Sequence, residues 1–325
     1  MLAVRIKEPG GVDVLEVVDA PRPEIRPDQI LVRNYATALN RADVLRRRGL
    51  CPPAPGESEI LGFEFAGEVA EVGERVRGFR RGDRVFGIVG GGAYAEFVAA
   101  DPALTMPISD RLSYEAAASI PESFATANES LFQAASLEAG EVVLVHAGAS
   151  GVGTAAIQLA RRKGAKVLAT VGSEAKAARC RELGAAVVVW DREEDFAEFA
   201  LAETDGRGVD VILDLIGASY WDRNLESIAP GGRWVLVGLL GGSRVAVELG
   251  RVLAKRLRIF GVFLRYLPLE EKAAVIERLR RDVLPLIERG DVRPVVDSVR
   301  PIEEVREAHA RMEASLNVGK IVLRL

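Results

Sequence analysis

The stretch "VVLVHAGASGVGTAAIQLARRKGAKVLATVGS", Val142 to Ser173, constrains the fold more than any other. An apolar run drops into a glycine-rich loop, the loop feeds a helix from Thr154, and the helix stops at Gly164. A second apolar run, Val167 to Val171, follows. Strand, crossover helix and strand make a right-handed βαβ unit, which requires a parallel sheet. The alternation continues through Ala186 to Val189, a helix around Glu194 to Leu201, "VDVILDLIG", "YWDRNLESIA", "GRWVLVGLL", "VELGRVLAKR" and "RIFGVF". Such a run predicts an α/β doubly wound sheet covered by helices on both faces.

The flanks read differently. "LAVRI", "LEVVDAP", "QILVRNYATALN", "FAGEVAEVG", "DRVFGIV" and "AYAEFVAA" are short strands broken by turn residues, the pattern of a small β-barrel. "SYEAAASI" and "FATANESLFQAASL" then take helical spacing and lead into the next domain. After Phe263 come a helical segment from Leu269 to Arg289, "VRPVVDSV", "IEEVREAHARMEAS" and a last strand "KIVLRL". These cannot extend the doubly wound sheet in sequence, so they are assigned back to the first domain. The expected organisation is residues 1–121 with 264–325, and an inserted domain at 122–263, with a cleft on their boundary. A chain of 325 residues is long enough for two such cores.

Net charge of -4 gives no basic surface for nucleic acid or anionic lipid. Cys51 and Cys180 make no disulfide framework, the N-terminus lacks a signal-peptide pattern, and no apolar run approaches the roughly 20 residues of a membrane helix. The expectation is a soluble protein of the reducing cytoplasm.

"GASGVG" places Gly148, Ser150 and Gly153 on the G-x-G-x-x-G dinucleotide fingerprint, with Gly151 and Val152 between them. Gly148 suits the sharp turn, Gly153 lets the helix lie on the sheet, and Ser150 is small enough for backbone amides to reach a pyrophosphate. An acidic residue at the end of the second strand would grip the ribose of NAD. Here stand Gly172 and Ser173, followed by Lys176 and Arg179, with Arg192 further on. Hydroxyl and positive charge suit the 2′-phosphate of NADPH. Glu174 and Asp191 argue the other way, and Ser173 and Glu174 would cap a helix in any case.

Upstream, "ILGFEFAGEVAEVGERVRGFRRGDRVFG", Ile60 to Gly87, resembles the signature of the medium-chain dehydrogenase/reductase superfamily, whose zinc alcohol dehydrogenases carry Gly-His-Glu where this chain has Gly62, Phe63 and Glu64. "ALNRADVLRRRG", "PGESEILGFEFAGEV", "HAGASGVGTAAIQLA" and "NVGKIVLRL" look like the zinc-free quinone oxidoreductase branch, zeta-crystallin and its relatives. "IPE", "ASYW", "GRWVL" and "ASLNVGKIVL" are similar to its tumour-suppressor-inducible subgroup. The resemblance implies a GroES-like β-barrel catalytic domain with an inserted Rossmann domain. Donor counting argues separately against zinc. A catalytic zinc needs three Cys, His or carboxylate ligands, and the chain has two histidines and two cysteines, far apart. Asn40 and Phe63 occupy the usual ligand positions, and "GDRVFGIVGGGAYAEF" closes the gap where the dehydrogenases insert a four-cysteine lobe.

The resemblance also assigns roles. Asn40 bonds the ribose or the acceptor oxygen, Arg41 lies beside the nicotinamide, and Arg41 and Asp43 pair or begin the helix. Cys51 replaces the branch's usual tyrosine, which leaves a smaller, less polar pocket floor. Thr126 opens the connecting helix near the nicotinamide. Gly238, Leu239 and Leu240 run along the nicotinamide ribose, Phe263, Leu264 and Arg265 follow the next strand, and Asn317 and Lys320 match C-terminal cofactor contacts. Of the two histidines, His146 reads as a packing residue and His309 as solvated on a polar helix. Without a Lewis acid, an alkoxide product is disfavoured, whereas a hydroquinone monoanion has phenol-like acidity, near a pKa of about 10. The expected activity is NADPH-dependent quinone reduction. Reduction of activated C=C bonds in an enal, enone or enoyl thioester, and cofactor binding without turnover, are the alternatives. A homodimer through the sheet edge at "RIFGVF" is expected.

Overall fold

The structure, a computed structural model, describes residues 1–54, 56–185, 187–190 and 195–325, with 187–190 described by their backbone. Asp191 and Arg192 lie outside the described residues. The chain forms two compact units, Met1–Ala125 with Leu267–Leu325, and Thr126–Tyr266.

In the first unit β1 (Leu2–Ile6) and β2 (Leu15–Asp19) form an antiparallel hairpin. Next come β3 (Ile30–Ala38), β4 (Glu64–Val72), β5 (Arg84–Ile88), β6 (Phe97–Ala100) and β7 (Thr105–Pro107), the last a three-residue strand too short to be read from periodicity. β3 organises this unit. Its first residues pair with β6 as well as β4, and its register shifts twice along β4. Such bulges bend a strand and curl its sheet. Inward residues of β3, β4 and β5, among them Ile30, Val32, Phe65, Val69 and Val85, share one core.

The second unit holds β8 (Val142–Val145), β9 (Lys166–Val171), β10 (Val187–Trp190), β11 (Val209–Asp214), β12 (Ile228–Leu236) and β13 (Arg258–Gly261). They form one wholly parallel sheet in the order β10-β9-β8-β11-β12-β13. All four residues of β8 are buried, because helices cover both faces. The order reverses between β8 and β11, the switch point at which such sheets open a crevice beyond their carboxyl ends. The helix Gly151–Lys163 buries Ala155, Ala156, Ile157, Leu159 and Ala160, its alanines letting it approach the sheet, and ends at Gly164 with φ 91°.

The chain then returns to the first unit. β15 (Lys320–Arg324) runs antiparallel to β3 through Val322 and Ala38, and β14 (Val296–Pro301) runs parallel to β15. The helical stretch from Leu269 is less regular than its periodicity predicts. It is α-helical over Leu269–Arg278, takes a π turn over Leu279–Val283 and resumes at Leu284–Arg289. Pro285 has no amide to donate and enforces the break. Likewise only Leu249–Ala254 of "VELGRVLAKR" is helical. Among the described residues no helix is long and apolar enough to cross a membrane.

Candidate functional site

In the second unit, parallel strands bring several sequence-distant loops to one sheet edge. The loops after β8, β9, β12 and β13 carry Gly148–Gly153, Gly172–Ser173, Gly238–Leu240 and Phe263–Arg265 respectively. Ser150 is the N-cap of the helix Gly151–Lys163, its hydroxyl oxygen accepting from the Gly153 amide at 3.0 Å. That leaves its own O–H to donate. The amides of Gly151 and Val152 have no partner in the chain among the described residues. A Cβ at position 153 would lie 2.5 Å from Ala147 O and 2.6 Å from Gly148 O, so only glycine permits this loop.

Ser173 caps the next helix, accepting from the Lys176 amide, and the Glu174 carboxylate is paired with Arg181 at 2.7 Å. Gly172 faces open space. After β12, the Gly238 amide bonds Asp214 O, while Leu239 and Leu240 are exposed. Phe263 is exposed and Leu264 buried. Below the loop His146 is fully buried, its Nε2 2.7 Å from Asn224 Oδ1 and its Nδ1 3.0 Å from Thr170 Oγ1. Asn224 Nδ2 and Trp234 Nε1 both donate to Asp214 Oδ2. His146 thus ties the ends of β8 and β9 together beneath the glycine loop.

The first unit holds a buried charged cluster that periodicity does not reveal. β3 ends at Ala38, and Asn40 becomes the N-cap of the helix Arg41–Arg47, its amide donating to Asp43 Oδ2 at 2.8 Å. Asn40 Nδ2 donates to Glu64 Oε1 at 2.8 Å. The Lys320 ammonium donates to Asn40 Oδ1 and Leu39 O and lies 2.7 Å from Glu64 Oε1, so its three protons are committed inside the protein. Glu64 Oε2 accepts the Glu122 amide. Asp43 and Glu64 are fully buried.

Burial raises the Asp43 carboxyl to about 7, against the pull of the Asn40 and Gly62 amides. Burial, then the charge of Glu64, raises Glu122 to about 7. Arg41 does not pair with Asp43. Its guanidinium donates to Met312 O, and burial lowers its pKa. Cys51 is buried, Thr126 is buried within the helix Pro121–Asn128, and Asn317 Nδ2 donates to Gly319 O. Of this cluster the sequence reading singled out Asn40, Asp43 and Lys320. The missed signal was Glu64, a charge inside the strand pattern "FEFAGEV", which needs a buried partner.

His309 corrects the sequence reading. It is not solvated but fully buried, with Nδ1 3.2 Å from Arg47 Nη1 and Nε2 3.4 Å from the Tyr94 hydroxyl. Val305, Ala308 and Met312 share its helix face and pack into the core beside Val44 and Leu61. Burial, then the Arg47 charge, lowers its pKa from 6.5 to about 3. Between those values the unfolded chain binds a proton that the native one does not, so stability is lost as pH falls below 6.5. One such group contributes a slope of ~1.4 kcal/mol per pH unit. Denaturant titrations at pH 7.5, 6 and 5 are expected to show His309→Gln losing less stability on acidification than wild type. Parallel losses would overturn this assignment.

The positions that zinc dehydrogenases use do not fit the metal. Phe63 has no donor atom, and the Asn40 amide is held by Glu64 and Lys320. No group of three or more His, Cys, Asp or Glu residues suited to a metal occurs among the described residues. A dinucleotide does fit the glycine loop, where two unpartnered amides and the Ser150 hydroxyl stand at a helix N-terminus.

A GroES-like unit with an inserted Rossmann unit defines a class, and sequence comparison agrees. Residues 26–110 match the alcohol dehydrogenase GroES-like domain family and residues 151–281 the zinc-binding dehydrogenase family. The chain is 33% identical to the quinone oxidoreductase of Rattus norvegicus over 329 residues, 100% of this chain and 98% of that one. It belongs to the medium-chain dehydrogenase/reductase superfamily. It is also 32% identical to the mycocerosic acid synthase-like polyketide synthase of Mycolicibacterium smegmatis, matching with 98% of its length but spanning only 15% of that protein. Among solved structures, the Escherichia coli quinone oxidoreductase complexed with NADPH superposes with a TM-score of 0.92 at 29% identity, covering all of both chains. The CurK enoyl reductase gives 0.89 at 29% identity, covering 99% of this chain and 98% of that one.

Proposed function

We propose that this chain is an NADPH-dependent quinone reductase that works without zinc. The observation that carries the reading is the pairing of a complete pyrophosphate cradle with metal-ligand positions filled by Phe63 and a locked Asn40. The bound cofactor supplies a hydride. The amides of Gly151 and Val152 and the Ser150 hydroxyl hold its pyrophosphate. Gly172, Ser173 and Lys176, with Arg192, take the 2′-phosphate, and the pairing of Glu174 with Arg181 reduces the repulsion Glu174 would exert there. Gly238, Leu239, Leu240, Phe263, Leu264, Arg265, Thr126 and Asn317 are assigned to the nicotinamide half. Lys320 acts through Asn40 and Glu64. Hydroquinone leaves as a weakly basic anion that hydrogen bonds and water can neutralise, so no Lewis acid is required.

NADPH is expected to bind at least about tenfold more tightly than NADH, and Lys176→Ala to remove most of that difference while leaving NADH unchanged. Calorimetric titration of both cofactors checks this; equal affinities in wild type would refute the NADPH assignment. Steady-state oxidation of NADPH with ortho- and para-quinones tests the activity, and binding without turnover would defeat it. A second reading, reduction of an enoyl thioester, is favoured by the polyketide synthase relative and the CurK structure. A crotonyl thioester in the same assay separates the two.

We further infer a homodimer. β13 is an outermost strand whose outer edge has no strand partner among the described residues, and Leu249, Leu253, Ile259 and Phe263 are exposed in the same unit. Light scattering is expected to give twice the chain mass, and Leu253→Glu to reduce it.

A further inference from the structure

Five residues drawn from three segments of the chain form a file in the first unit, four of them buried. Glu313 Oε1 lies 2.7 Å from Arg47 Nη2; Arg47 Nη1 is 3.2 Å from His309 Nδ1; His309 Nε2 is 3.4 Å from the Tyr94 hydroxyl; and burial, then the nearby Asp43 carboxylate, raises the pKa of that hydroxyl. Asp43 in turn receives the amides of Asn40 and Gly62 at 2.8 and 3.0 Å. Arg47, His309, Tyr94 and Asp43 are all fully buried. Gly62 is essential to the approach, since a Cβ there, at φ +93°, would lie 2.6 Å from the Tyr94 amide nitrogen.

The direction of every bond follows from Arg47, which can only donate. His309 Nδ1 must therefore accept, which puts the ring proton on Nε2, where it faces Tyr94. The Tyr94 oxygen accepts that proton, which leaves its own O–H for the Asp43 carboxylate nearby. All three partners of Asp43 are then donors. We propose that Tyr94 and His309 are positioning residues, which hold the Asp43 carboxylate as an acceptor for the Asn40 and Gly62 amides and so fix the Asn40–Glu64–Lys320 site from behind. A protonated Asp43 would have no acceptor for its proton and would have to give up one of those two amides. Burial pushes Asp43 toward about 7, so the Tyr94 bond matters most near neutral pH.

The charged and titratable groups along the file and facing it are Arg41, Arg47 and Arg48 on or beside Asp43's own helix, Glu64 on β4, Lys320 on β15, Tyr94, His309 and Glu313, and Glu122 on the helix Pro121–Asn128. Only His309 is expected to have a tautomer that reports the direction of the file.

The first test uses the unmodified protein. With two histidines in the chain, nitrogen-15 NMR resolves both rings. His309 is expected to be the Nε2–H tautomer and not to titrate between pH 8 and 5; an Nδ1–H ring or titration near 6.5 overturns the proposal. Second, Tyr94→Phe is expected to lower Tm more at pH 8, where Asp43 is charged, than at pH 5, with a deficit about twice as large. An equal deficit at both overturns it. The third test rests on the quinone-reductase reading. Tyr94→Phe and His309→Leu are expected to move the acid limb of the kcat/KM profile up by about one pH unit relative to wild type, while His309→Gln, whose amide can both accept and donate, tracks wild type. Superimposable profiles, or a glutamine variant that behaves like leucine, overturn the positioning role. If wild type turns over no quinone, the functional reading fails, while the NMR and stability tests still decide this one.

Discussion

Gly153→Val is expected to abolish dinucleotide binding, weakening it by about a hundredfold or more. The three heavy atoms nearest an added Cβ, Ala147 O, Gly148 O and Gly148 C at 2.5, 2.6 and 2.7 Å, are all backbone, so no side chain can rotate out of the way. The loop itself has to move, taking with it the unpartnered amides of Gly151 and Val152. Two lost charge-assisted hydrogen bonds at ~1.5 kcal/mol each correspond to a factor of this size. Gly250→Ala is the control, because its methyl group meets nothing within 4 Å and the backbone needs no positive φ. It is expected to change stability by less than about 0.5 kcal/mol. Fluorescence titration with NADPH reads both variants, and wild-type affinity in Gly153→Val would show that the cofactor does not lie on this loop.

Lys320→Met is expected to destabilise the protein by ~3–5 kcal/mol, the usual cost of stripping one partner from a buried ion pair. Glu64 is fully buried, and its carboxylate would keep only the Asn40 side chain and the Glu122 amide. The penalty comes from the stranded charge and not from the lost attraction. Adding Glu64→Gln to Lys320→Met is therefore expected to recover part of the loss. Guanidinium denaturation of the two single variants and the double variant measures the coupling. Additive losses would mean that the two groups do not stabilise each other.

These two expectations rest on features of different legibility. The glycine loop at Gly148–Gly153 could be read directly, because its interactions are local. Ser150 bonds an amide three residues on, Gly164 ends the helix that Ser150 begins, and the apolar runs on either side specify strands. The parallel sheet follows from the alternation of those runs with helices. Helix irregularities were less legible, since Pro285 interrupts an otherwise continuous apolar pattern by removing one donor.

The charged cluster was legible only in part. The spacing of Asn40 and Asp43 announces a helix cap, and an isolated Glu64 in an apolar strand asks for a partner, but neither identifies one. Lys320 bonds Leu39 across 281 residues of sequence, and Arg47 meets His309 across 262. His309 shows the consequence. Its helix carries enough charge to look solvated, yet the stripe of Val305, Ala308 and Met312 turns it inward, where burial keeps the ring neutral.

By itself, then, the sequence determined the parallel sheet, the glycine loop at the head of its first helix and the poverty of zinc donors, because turn chemistry, strand and helix periods and ligand counts are properties of neighbouring residues or of composition. Only the tertiary structure decided which charges share the buried site beside Asn40 and which way its hydrogen bonds run. Those depend on the closing of β15 against β3 and on the packing of Val305–Glu313, which bring residues from opposite ends of the chain within 3 Å of one another.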